Sequence, residues 1–114
     1  MFLGLQPFFN DAIAGAVTNV KASGVAQLWA LRLVNTVAAA SYLQIFFKPA
    51  ASVTLGTTVP DFVIRLQTSE SLAPMMWPVP LQKDGGSNTG LSIAGTTTPT
   101  GNTGAAISVS ALFA

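Results

Sequence analysis

Phe62-Val63-Ile64-Arg65-Leu66-Gln67 is the stretch that decides the fold. Phe62, Ile64 and Leu66 alternate with Val63, Arg65 and Gln67, and an extended backbone sends successive side chains to opposite faces. One face is therefore wholly apolar and the other mixed, the pattern of a half-buried β-strand.

Toward the C-terminus, residues 68–80 read as irregular, because Pro74, Pro78 and Pro80 exclude a helix and a central strand. Residues 79–82 suit a short edge piece at most. Lys83-Asp84-Gly85-Gly86-Ser87-Asn88 is a turn signal, since glycine reaches positive φ cheaply. Leu91-Ser92-Ile93-Ala94 reads as a short strand, and 95–104 as a polar Thr/Gly/Pro loop. The closing segment sets Ile107, Val109, Ala111 and Phe113 against Ser108, Ser110 and Leu112, a second alternating strand.

Toward the N-terminus, a long loop spans 49–60 around Gly56-Thr57-Thr58. Before it, Leu43, Ile45 and Phe47 face one way and Tyr42, Gln44 and Phe46 the other, with Pro49 ending the strand. Residues 35–41 suit a hairpin connection, and their middle equally suits a short helical turn. Residues 25–34 put Trp29, Leu31 and Leu33 on one face and Leu28, Ala30, Arg32 and Val34 on the other. Apolar on both sides except for Gln27 and Arg32, this segment predicts a central strand, or one covered by another subunit. Residues 17–22 form a first candidate strand, closed by Ser23-Gly24.

Six to eight short strands joined by Gly, Pro and Thr turns predict an all-β fold, a β-sandwich or jelly roll, over residues 16–114. Strand order is not readable from this pattern. Residues 1–15 stand outside it and read as an apolar arm carrying Phe2, Leu3, Leu5, Phe8 and Phe9, with a helical turn beginning in 11–16.

At 114 residues the chain suits one domain. Area scaling gives about 5,900 Å² folded against roughly 17,000 Å² unfolded, enough burial for a core without staples. Charged residues make up only 8%, against about 25% in an ordinary soluble domain. At a net charge of +1, little keeps such a surface from associating. Two readings follow: a monomer coated in Thr, Ser, Gln and Asn, or a surface covered by copies of itself or by a larger assembly. The 1–9 segment lacks the positive region of a signal peptide, and no run of eighteen apolar residues exists to form a membrane anchor.

Catalytic constellations find little material. The absence of histidine and cysteine removes Ser-His-Asp and Cys-His arrangements, His- and thiolate-based metal sites, and disulfides. The four carboxylates, Asp11, Asp61, Glu70 and Asp84, are scattered over loops and strand ends. A glycosidase needs two at a set separation. Asp84, Ser87 and Asn88 offer oxygen atoms without EF-hand spacing, and a polar Gly-Gly turn explains them better. The five basic residues, Lys21, Arg32, Lys48, Arg65 and Lys83, are spread one per segment, unlike the clusters that bind nucleic acid. Arg32 and Arg65, inside strands, are expected to reach an edge, a carboxylate or a subunit boundary. The expectation is a protein that is not an enzyme, with no cofactor, metal or small-molecule substrate.

Trp29, Phe46, Phe47 and Phe62 read as core. Trp77, in Pro74-Met75-Met76-Trp77-Pro78, suits either a plug at one end of the sandwich or an anchor for a partner. Phe8-Phe9 favours docking. The candidate partner interface is therefore Phe2, Leu3, Leu5, Phe8, Phe9, Met75, Met76 and Trp77.

Several stretches together resemble a recurring family of small phage and prophage structural proteins. They are Val20-Lys21-Ala22-Ser23-Gly24, Leu33-Val34-Asn35-Thr36, and Ala40-Ser41-Tyr42-Leu43-Gln44-Ile45-Phe46-Phe47. Ser52-Val53-Thr54-Leu55-Gly56-Thr57-Thr58-Val59-Pro60 is the most specific of them. Gly90-Leu91-Ser92-Ile93-Ala94, the Thr96-Thr97-Thr98 and Gly101-Asn102-Thr103-Gly104 loop and the last strand complete the likeness over about 17–114. The resemblance implies a β-sandwich building block of a tailed-phage virion. Its first form is a capsid decoration (cement) protein on the capsid surface, a homotrimer bound to the major capsid protein. A tail, baseplate or fibre-attachment component is the alternative. A carbohydrate-binding host-attachment module, using Trp77 and Tyr42, is a further one. The arm and the Trp77 segment have no counterpart in the family.

Overall fold

The structure is a computed structural model describing residues 5–69, 71–83 and 88–114, with 71–76 and 78 described by backbone alone. Eight strands follow in chain order: β1 Gln6–Ile13, β2 Thr18–Lys21, β3 Leu28–Asn35, β4 Ser41–Phe46, β5 Phe62–Leu66, β6 Ser71–Leu81, β7 Leu91–Thr96 and β8 Ile107–Phe113. They form two four-stranded sheets, ordered β1-β8-β3-β6 and β2-β7-β4-β5, with every pairing antiparallel. The fold is an all-β sandwich. β1 pairs with β8, β2 with β7, β3 with β6 and β4 with β5, as in one long antiparallel ribbon folded over on itself. Contacts of β8 with β3 and of β7 with β4 then complete the two sheets.

The core lies between the sheets where the alternation places it. Ile107, Val109, Ala111 and Phe113 of β8 meet Leu43 and Ile45 of β4, Phe47 just beyond it, Leu66 of β5, and Leu91 and Ile93 of β7. β3 is interior to its sheet, as its two apolar sides predict, and gives Leu28, Leu31 and Leu33 to the same cluster. Those three do not share a parity. A register shift between Leu28 and Ala30 inserts one residue, so Leu28 and Leu31 both turn inward. Trp29 sits at that bulge, half-buried and outside the core cluster, its Nε1 donating to Gln27 Oε1 at 3.4 Å. It does not share a core face with Leu31 and Leu33 as strict alternation predicts.

Other expectations are also corrected. Residues 6–13 are an edge strand of the first sheet rather than a free arm, and no helical turn begins at 11–16. Phe8 pairs with Ala111 and packs on the core, and a second register shift between Asn10 and Ile13 turns Ile13 inward too. That bulge conceals the period of two. Residues 35–41 are not a hairpin: they carry the chain from β3 in one sheet to β4 in the other. Residues 71–81 form one long strand at the other edge of the first sheet. The prolines do keep it from the centre. Its residues that pair with β3 are Leu81, Met76, Met75, Leu72 and Ser71, so Pro74, Pro78 and Pro80 fall in the register shifts between paired residues. Phe62 is 40% exposed and only edges onto the core, its ring T-shaped against Phe47 at 6.3 Å.

β7 is buried on both faces. On the outside, residues 97–104 lie over the second sheet, where Gln44 Nε2 donates to Thr96 Oγ1 at 2.8 Å and to the Gly101 carbonyl at 3.1 Å. At Gly95 the approach is backbone to backbone. Its N–H donates to the Ala14 carbonyl, its own carbonyl accepts from Ala105, and a Cβ there would lie 2.8 Å from the Ile13 carbonyl oxygen. Glycine at this position lets the two sheets meet at one end of the sandwich.

Candidate interaction surface

Two rungs of the first sheet build the outer surface. Pro7, Leu112 and Ala30 lie opposite one another across β1, β8 and β3, and Phe9, Ser110 and Arg32 form the next rung. Because Ala111 and Phe113 turn inward, Ser110 and Leu112 turn out, and the register carries Pro7, Phe9, Ala30 and Arg32 to the same side. The result is a shallow groove of about 330 Å³, apolar on most of its walls. Phe9 is 66% exposed and Leu112 37%.

Arg32 lines this groove from β3, exposed, with no hydrogen bond or ion pair among the described residues. A guanidinium on an apolar background is a strong, directional anchor for a carboxylate or a row of carbonyls. The other strand arginine behaves differently. Arg65 sits on edge strand β5, and its Nε donates to the Tyr42 hydroxyl at 3.2 Å.

The sequence-based interface residues divide. Phe2 and Leu3 lie outside the described residues. Leu5 is half-buried just before β1. Phe8 is turned to the core, whereas its neighbour Phe9 lines the groove. Met75 and Met76 pair by backbone with Leu31 and Ala30, directly beside the groove residues of β3, and their side chains lie outside the description. Trp77 is half-buried and packs against the core cluster. Phe9 and the two methionines thus end up on one sheet, on its opposite edges, about 14 Å apart by strand spacing. Arg32, Pro7 and Leu112 complete that surface. Sequence reasoning placed Arg32 at an edge, a carboxylate or a boundary; which strands flank it was not readable.

Tyr42 and Trp77 do not form a shared aromatic platform. Tyr42 is on β4 of the second sheet, opposite in parity to the core-facing Leu43, and Trp77 is on β6 of the first. Of the carboxylates, Asp11 is exposed, and Asp61 is engaged twice. Its Oδ1 is 3.0 Å from Lys83 Nζ, and its Oδ2 accepts from the Phe47 N–H at 2.7 Å. Glu70, Asp84 and Ser87 lie outside the described residues, while Asn88 is buried and bonded to the backbone of Ala26 and Lys83. Among the described residues no group of three or more acidic side chains comes together to hold a metal. No helix of the described residues is long and apolar enough to cross a membrane.

Comparison with protein-family models, with curated proteins and with solved structures finds no match to this chain.

Proposed function

We propose that this chain is a non-catalytic structural subunit of a phage particle, a capsid decoration protein that docks on the shell through the outer face of its first sheet. The observation that carries the reading is the apolar groove lined on one side by Arg32, which has no partner among the described residues. Nine charged residues on 5764 Å² of surface support it, because so sparse a charge set leaves most of the exterior free to be covered. The resemblance of residues 17–114 to small phage structural proteins supplies the particle. The rolled ribbon, read as a jelly roll, is an architecture that viral capsid domains use, although a fold alone never assigns a function.

The mechanism is mechanical. Burying apolar groove surface contributes about 25 cal/mol per Å² before association costs are subtracted. Arg32 fixes orientation by pairing with acceptors on the shell protein. Many copies on one particle add avidity.

Cryo-electron microscopy of purified particles, with this chain traced in the map, tests the proposal. The expected density repeats over the shell with the face of Phe9, Arg32 and Leu112 turned inward. Arg32→Glu should weaken co-sedimentation with particles by about tenfold or more while leaving the circular dichroism spectrum unchanged. Density confined to the tail would replace the proposal with a tail or baseplate role, and absence from the particle would overturn both.

A further inference from the structure

Sheet edges expose unpaired N–H and C=O groups, and proteins blunt them to avoid pairing with other chains. Of the four edge strands here, three are interrupted. β1 carries Pro7 and a register shift between Asn10 and Ile13. β2 has four residues, with a register shift between Asn19 and Lys21. β6 carries Pro74, Pro78 and Pro80 and two register shifts.

β5 has neither a proline nor a register shift, and Arg65 is its one charged residue. Its five residues pair with β4 in unbroken register from Phe62 opposite Ile45 to Leu66 opposite Ser41. Its free edge has no backbone partner among the described residues. Apolar side chains on this strand and just before it are exposed: Val59 is 78% exposed, Phe62 40% and Val63 38%.

We infer that β5 is the contact through which two copies of this chain pair, edge to edge and antiparallel about a twofold axis. A twofold contact must be self-complementary, with the same patch on both copies. β5 meets that condition in the register centred on Ile64. There Phe62 faces the partner's Leu66, Ile64 faces the partner's Ile64, and Val63 faces the partner's Arg65. The parity holds, so the core-side residues Phe62, Ile64 and Leu66 stay on one face of the joined sheet. Centring on Arg65 would instead set two guanidinium groups directly opposite, which disfavours that alignment. Two four-stranded sheets become one of eight, and the exposed Phe62 ring gains a covering neighbour. A trimer built head to tail would need two different edges to meet, and the other three are blunted.

This inference deepens the structural-subunit reading by naming its contact between copies, and it uses a different surface from the Arg32 groove. Sedimentation velocity over a concentration series tests it with two variants of one exposed position. Val63→Glu should tighten the dimer, because the register sets each new carboxylate opposite the partner's Arg65. Val63→Lys should weaken it by like-charge opposition. Two such cross-strand pairs form per dimer, so each shift should be roughly two- to thirtyfold in dissociation constant. A defect of folding would move both variants the same way, and circular dichroism of each monomer checks for one. Opposite shifts support the inference. Equal shifts, or a wild-type chain that stays monomeric at every concentration, overturn it. A dimer that is absent from particles would leave β5 pairing standing while the decoration reading falls, and a monomer seated on the shell would do the reverse.

Discussion

Asn35 is 1% exposed, and all four of its side-chain hydrogen-bonding positions are used. Its Nδ2 donates to the carbonyls of Ala39 at 2.9 Å and Gln67 at 2.8 Å. Its Oδ1 accepts from the Val37 N–H at 3.1 Å and the Ser41 hydroxyl at 3.2 Å. One amide thus ties the end of β3, the crossing to β4 and the segment after β5. Gln44 is equally buried, but its Oε1 has no partner among the described residues. Its Nε2 cannot exchange places with that oxygen, because the Gly101 carbonyl it meets only accepts. Replacing a fully used amide strands several buried polar groups, whereas replacing Gln44 also removes an unpaired acceptor. Asn35→Leu should therefore cost about 3 kcal/mol or more, and Gln44→Met about 1 kcal/mol. Urea denaturation at constant m-value checks the difference. Equal losses would show that hydrogen-bond satisfaction does not distinguish the two sites.

The elements show where pattern reading succeeds. β8 is an uninterrupted strand with one buried face, legible residue by residue from alternation, and β5 is uninterrupted too, although burial on its apolar face falls from Leu66 to the exposed Phe62. β1 and β6 are not legible in this way, for opposite reasons. In β1 the adjacent Phe8 and Phe9 turn to opposite faces, and the later bulge flips parity before Ile13, so no period survives over eight residues. In β6 the prolines announce an interruption, yet each occupies an unpaired position on an outer edge, where a missing N–H costs little. The candidate surface shares this history. Phe9, Met75 and Met76 were readable as unusual residues, but their meeting on one sheet depended on two strands the pattern did not reveal. A truncation follows from the same geometry. Removing residues 1–13 takes away Phe8 and Ile13 and bares the whole edge of β8, so that variant should lose its cooperative thermal transition. Removing residues 1–5 leaves β1 whole and should keep it. Calorimetry of the two truncations decides whether β1 is part of the sandwich or an appendage.

For the whole molecule, strand order was beyond the sequence because every pairing except that of β4 with β5 joins strands far apart along the chain. Gln6 faces Phe113 and Ile13 faces Ile107, so β1 and β8 meet across roughly the full chain length. Periodicity reports which face of a strand is apolar; it carries nothing about which strand lies beside it. The separation that hides topology from the reader also burdens folding, since long loops must close before distant contacts form. β4 and β5 meet across the shortest connection in either sheet and cover Leu66 and Leu43 at the closed end of the ribbon. That end should assemble first, with β1 and β8 zipping last. Leu66→Ala and Ile13→Ala each remove a side chain no more than 1% exposed, and each should cost about 2–5 kcal/mol at equilibrium. They should divide that loss differently. Leu66→Ala should mainly slow folding, while Ile13→Ala should mainly speed unfolding, and stopped-flow chevrons separate the two limbs. The reverse assignment would mean that the joined ends of the ribbon, rather than its tip, form the nucleus. In that case the β1–β8 pair would have to be stable before the β4–β5 edge existed.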